Sequence, residues 1–284
     1  MKRALLHSGG NAKGAVALPI LEGLIQTHGL HNYHMFCGTS VGAINMPEVS
    51  AGRLSSLYGM YEEIDGLSWY LRTKMPWNWG TGITSLDRLW WRSYLYGSKL
   101  NELKIPVSVG IFDYVDKKHF MLSSSLYTDD KRWIAARMAS ASIPIIMSGW
   151  KLAERNMHLC YDGGVRHIVP LLDDWETYDA IDVIVCTPLE DNDVNVKFSF
   201  KNPIKSFTKL LGTTIDIFLD GILIQDLQRL QYYANHGIKV TIYSPQFAGN
   251  SFDASASTIK KRIEAGKIAW ENPIILNQME ISYG

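Results

Sequence analysis

Phe36-Cys37-Gly38-Thr39-Ser40-Val41-Gly42-Ala43 is the stretch on which the reading of this chain turns. It contains the pattern G-x-S-x-G, with Ser40 two residues from a glycine on either side. A serine so flanked sits on a sharp strand-to-helix turn in a strained backbone, where bulkier neighbours would meet adjacent main chain. What surrounds it agrees. His34 to Cys37 is short and largely apolar, which predicts a buried strand, and Val41 to Ala51 is small and apolar, which predicts a packed helix. The same five residues also fit a glycine-rich turn whose serine only caps a helix.

Toward the N-terminus, Arg3-Ala4-Leu5-Leu6-His7 predicts a first strand that runs into Ser8-Gly9-Gly10-Asn11-Ala12-Lys13-Gly14, followed by a helix from Ala15 to Thr27. A glycine-rich turn in that position presents backbone N–H groups that suit an anion. Phosphate loops carry G-x-x-x-x-G-K-[ST] or G-x-G-x-x-G, and neither spacing is present. An oxyanion developing on an ester carbonyl fits better, because about two aimed donors suffice to stabilise it. Taken alone, the segment also reads as a tight turn with Gly14 for helix packing. A nucleophile as early as Ser40 leaves room for one strand–helix unit before it, which disfavours the α/β-hydrolase fold, whose serine follows several strands. Adjacent parallel strands would open both turns on one carboxyl edge, where such sheets bind ligands.

Ser8 to Ala15 and Gly38 to Asn45 resemble the oxyanion loop and nucleophile elbow of patatin-like phospholipases, and two later blocks follow in the same order. Ala139-Ser140-Ala141-Ser142-Ile143-Pro144 is similar to the family's alanine-serine segment ending in isoleucine-proline, and Tyr161-Asp162-Gly163-Gly164 to its aspartate-glycine-glycine motif. The blocks run from residue 5 to about 170, with looser similarity near Ile263-Glu264-Ala265-Gly266. Asn11 stands in place of the third loop glycine, Lys13 in place of arginine, Ile145-Ile146-Met147 in place of the usual glycine and prolines, and His167 where asparagine is common. The resemblance implies a lipid acyl hydrolase in which Ser40 attacks an acyl carbonyl, Asp162 accepts its proton, and Gly9, Gly10 and Asn11 hold the oxyanion. No metal or cofactor is implied. An ordinary aspartate, with a pKa of about 3.9, is a poor base for a hydroxyl, so a water-poor pocket must raise it. His158 and His167 lie close enough in sequence to Asp162 for a histidine triad, ranked below the dyad. His7 reads as a structural neighbour of the glycine loop.

The rest of the chain sets bounds. The 28 basic and 28 acidic residues cancel, so charge gives no support to a nucleic-acid partner. Cys37, Cys160 and Cys186 are far apart and read as buried free thiols in a reducing compartment. No leader or bilayer-length apolar run is read, so a cytoplasmic protein is expected, in peripheral membrane contact with a phospholipid or other acyl-ester substrate. Ser68 to Tyr96 carries five tryptophans interleaved with Arg72, Lys74, Arg88 and Arg92, which suits a lid or lipid-facing patch, or the packing of a helical insert. A core strand at 105–112, a hairpin partner at 119–123, a helix at 131–140, a strand at 180–186, a polar linker at 188–201, covering helices at 203–234, an edge strand at 238–243 and a closing helix at 255–272 complete the pattern. The expectation is one domain over residues 1–284 with an aromatic-rich insert at about 68–96, folded as a three-layer α/β/α sandwich on a mostly parallel sheet. The competing readings are a catalytically idle membrane- or protein-binding module of that fold, and an acyltransferase or small-ester esterase using the same dyad. The sequence does not set the oligomeric state.

Overall fold

The alternating strands and helices form a mixed sheet between helical layers in a computed structural model that describes residues 1–153, 157–189 and 203–276. The strands are β1 (Arg3–His7), β2 (Tyr33–Thr39), β3 (Arg72–Thr73), β4 (Gly82–Ser85), β5 (Val107–Asp113), β6 (Lys118–Ser123), β7 (Ile145–Met147), β8 (Trp150–Leu152), β9 (Met157–Asp162), β10 (Ala180–Ile184), β11 (Lys239–Tyr243) and β12 (Ile274–Ile275). The helices are α1 (Ala17–His28), α2 (Val41–Ser50), α3 (Leu54–Glu63), α4 (Asp87–Tyr96), α5 (Asp130–Ser140), α6 (Pro203–Asn235) and α7 (Ala256–Glu271). The main sheet runs β12-β11-β10-β1-β2-β5-β9-β8, with β6 also paired to β5, while β3, β4 and β7 form a small second sheet. From β11 to β5 the main sheet is parallel, and its flanking strands are antiparallel.

Two-sided burial explains the apolar strands. Along β1, Leu5 joins a cluster with residues of α1, α2, α5 and α7, whereas Ala4 and Leu6 join a second with Leu223, Leu227 and Leu230 of α6. The alternation in Ile238 to Tyr243 predicts an edge strand, but β12 pairs with Thr241 and Ile242, so β11 lies one position inside the edge and four of its five residues are buried. Pro203 to Ala234 falls within one 33-residue helix rather than several. Most of the linker expected at 188–201 lies outside the described residues. In the stretch from Ser68 to Tyr96, Trp69 and Trp90 pack on the core, while Trp77, Trp79 and Trp91 are exposed.

The elbow sets the path between β2 and α2. Ser40 has φ 57° and ψ −120°, a conformation costing on the order of 1–3 kcal/mol that persists only where the surroundings fix it. A Cβ on Gly42 would lie 2.3 Å from the His7 carbonyl oxygen, and one on Gly38 would lie 2.3 Å from the Gly42 main chain. Gly42→Ala should therefore destabilise the protein by more than about 2 kcal/mol. Gly59→Ala on α3, where a Cβ meets nothing within 4 Å, should stabilise it by about 0.5–1 kcal/mol, and paired thermal melts read both signs.

Candidate active site

β5 brings the serine and the aspartate together. Thr39 of β2 is registered with Gly110, and Asp162 of β9 with the next residue, Ile111. Because β6 pairs along β5 from Ser108 to Asp113, β2 and β9 share the opposite edge of β5, one parallel and the other antiparallel. Their C-terminal ends converge on that edge, and Ser40 and Asp162 stand at the meeting point. The alanine-serine block clamps both. Ser140 Oγ donates to the Gly110 carbonyl at 2.6 Å and accepts the Ser40 N–H at 3.1 Å, and the Ser142 carbonyl accepts the Asp162 N–H at 2.9 Å.

The environment changes the chemistry of that carboxylate. Burial raises the pKa of Asp162 from its ordinary 3.8 to about 7, because the charged form loses its hydration. Hydrogen bonding from the Ser40 hydroxyl and from the Gly164 N–H, the latter at 2.8 Å, limits the rise. The group is thus poised to take up or release a proton near neutrality.

The glycine loop follows β1, which lies parallel and next to β2, so both turns open on one carboxyl edge. His7 anchors it. The Ser8 carbonyl can only accept, so His7 Nδ1 carries the proton of that 2.9 Å bond, and Nε2 accepts from the Asn45 amide at 3.0 Å. Burial lowers the His7 pKa to about 4, which keeps the ring neutral in this role. Ser8 Oγ accepts the Cys186 N–H and donates to the Gly9 carbonyl, each at 2.9 Å. Gly9 departs from its expected role as a donor, because its N–H is occupied by the Ile168 carbonyl at 2.9 Å. Its place is steric: a Cβ there would lie 3.1 Å from the Ser40 Cβ. The N–H groups of Gly10 and Asn11 carry no hydrogen bond to another described residue.

With this geometry, the comparisons with known proteins decide the family. A family model for patatin-like phospholipases matches residues 5–175, more than half of the chain. The chain belongs to the patatin-like phospholipase family. Among solved structures, VipD from Legionella pneumophila is similar in fold, with a TM-score of 0.51 at 12% sequence identity over 95% of this chain. The chain spans 66% of the length of that VipD chain. None of the curated proteins compared is similar to it in sequence.

In this patatin-like fold two cavities adjoin Ser40. One is lined by Val41, Ile44 and Met60 together with Trp69 and Leu89 of the aromatic stretch. The second contains Asp162 and the glycine loop and is bounded by Ile143, Ile168, Phe218 and Ile222. Both are predominantly apolar, which lowers the polarity around the serine and suits hydrocarbon chains. Neither histidine weighed for a triad joins the site. His167 Nδ1 pairs with Asp226 Oδ1 at 2.9 Å, and His158 is exposed. The clamp by Ser140 and the hydrogen bond from Tyr70 to Asn11 are not foreseen in the sequence, since each joins segments distant along the chain.

The raised pKa of Asp162 has a measurable sign. Between 3.8 and about 7 the folded state binds the proton that the unfolded state releases, so this group's contribution to stability falls as pH rises through that window. Asp162→Asn, which cannot ionise, should raise the melting temperature by several degrees at pH 8 and by much less at pH 5.

Proposed function

We propose that this chain hydrolyses acyl esters of lipids, with Ser40 as nucleophile and Asp162 as its general base. One observation carries the reading: a buried carboxyl with a pKa of about 7 faces a strained serine between two apolar cavities. Asp162 takes the hydroxyl proton as Ser40 Oγ bonds to the acyl carbon, and the N–H groups of Gly10 and Asn11 donate to the oxygen that becomes negative. When the tetrahedral intermediate collapses, the carbon–oxygen bond to the alcohol breaks and Asp162 returns the proton to that alcohol. Water then attacks the acyl-serine with Asp162 again as base, releasing a fatty acid and restoring Ser40. The acyl chain and the leaving alcohol occupy the two cavities that meet at Ser40.

The rim supports contact with a lipid surface. Ile145 is 80% exposed directly after Pro144 of the second cavity, and Phe218 and Ile217 are exposed on α6 beside it. In the small sheet Ile145 pairs with Gly82, at the end of the β3–β4 connection that carries the exposed Met75, Trp77 and Trp79. Aromatic and apolar groups around a substrate mouth lower the cost of drawing a lipid from a bilayer.

Fluorophosphonate labelling and fatty-acid release from phospholipid vesicles test the chemistry. Both should be abolished in Ser40→Ala, and release should fall at least about 10³-fold in Asp162→Asn. The parent's kcat/KM should rise with pH through about 7 and then level, as required of a base that must be ionised. Labelling that survives Ser40→Ala would exclude Ser40 as the nucleophile. In a separate test, Trp77→Ala with Trp79→Ala should weaken vesicle binding about tenfold while a short soluble ester is turned over within twofold of the parent rate.

A further inference from the structure

We propose that the side-chain amide of Asn11 is a third donor to the oxyanion and that Tyr70 orients it, an inference that rests on the reading of Ser40 as nucleophile. The Tyr70 hydroxyl donates to Asn11 Oδ1 at 2.9 Å, which fixes the direction of the carboxamide. Nδ2, on its opposite corner, is buried and has no hydrogen-bond partner among the described residues. Native structures rarely leave a buried donor unmatched, and one carried by a residue that lines a cavity calls for a partner, a water or a ligand, on that side. Asn11 also adopts φ 51°, a conformation that glycine takes without strain and asparagine tolerates better than most residues. Asn11 and Ser40 together border both cavities. An ester carbonyl that presents its carbon to Ser40 Oγ and its oxygen to the loop N–H groups meets a carboxamide carried by the same loop residue.

The donor acts without transferring a proton. As Ser40 attacks, the carbonyl double bond becomes a single bond and its electron pair settles on oxygen, so the hydrogen bond from Nδ2 strengthens between ground state and transition state. The interaction therefore belongs in kcat rather than in KM. Tyr70 is a positioning residue: it acts on the reacting atoms only through Asn11. Because Tyr70 lies in the aromatic stretch, that stretch also helps to set the geometry of the oxyanion loop.

Asn11→Gly keeps the backbone N–H, suits the positive φ and removes only the carboxamide. With the full-length chain and p-nitrophenyl butyrate, kcat should fall about 100-fold with KM within twofold of the parent, and the fluorophosphonate labelling rate should fall in parallel. Tyr70→Phe should lower kcat about tenfold in the parent and leave kcat of Asn11→Gly unchanged, the coupling expected if Tyr70 acts only through Asn11. Thermal melts confirm that each variant is folded, and Tyr70→Phe carries the test if Asn11→Gly is not. An Asn11→Gly enzyme with kcat within twofold of the parent, or a Tyr70→Phe effect equal in both backgrounds, would overturn the proposal. A parent that takes no label, or a label retained in Ser40→Ala, would instead remove the nucleophile reading on which it rests.

Discussion

β5 offers one edge to two strands arriving from opposite directions, and the geometry around Ser40 depends on that sharing. β2 pairs with it from Val107 to Gly110 and β9 from Ile111 to Asp113, so the last residue of each strand stops at the same place along one backbone. Rigid ladder hydrogen bonds thereby set the approach of serine and aspartate, leaving little of it to loop conformation. Ser140 adds a fixed point, because its hydroxyl joins the Gly110 carbonyl to the Ser40 N–H. A sheet built this way tolerates the strained serine, since the surroundings over-determine it.

Burial of Asp162 costs stability at neutral pH and, in the proposed reaction, gives Ser40 its base. In water the carboxyl would be ionised and weakly basic; in the apolar pocket its proton affinity rises to neutrality, the range in which a general base works best. Two donors keep it from rising further: the Gly164 N–H, at the turn that follows the aspartate, and the Ser40 hydroxyl itself. The neutral His7, by contrast, is a rivet beneath the glycine loop, linking it through Asn45 to the Tyr61 hydroxyl. Two polar groups in one region thus have opposite duties because one faces the cavity and the other is fully enclosed.

The parts legible in sequence were those set by local sterics and by order. Gly38 and Gly42 announce the elbow because a side chain at either would collide with backbone a few residues away or across the adjacent strand. The apolar runs around His34 and Leu5 announce two-sided strands, and the order of blocks places the Asp162 turn after the hairpin. What stayed hidden depends on partners distant in sequence. Gly9 reads as a donor until the Ile168 carbonyl is found against its N–H, and Asn11 reads as a backbone contributor until the Tyr70 hydroxyl is found bonded to its side chain. The placement of β11 is invisible for another reason: the strand that covers it is only two residues long and carries no period to detect.

The central claim is that the fold holds Asp162 as a carboxyl with a proton affinity near neutrality. Carbon-13 NMR of protein labelled at aspartate side-chain carboxyls, with the Asp162 resonance assigned by its loss in Asp162→Asn, measures this directly. The account predicts a titration midpoint near 7. A midpoint near 4, the range of exposed aspartates, would contradict it and leave Ser40 without an effective base in this site.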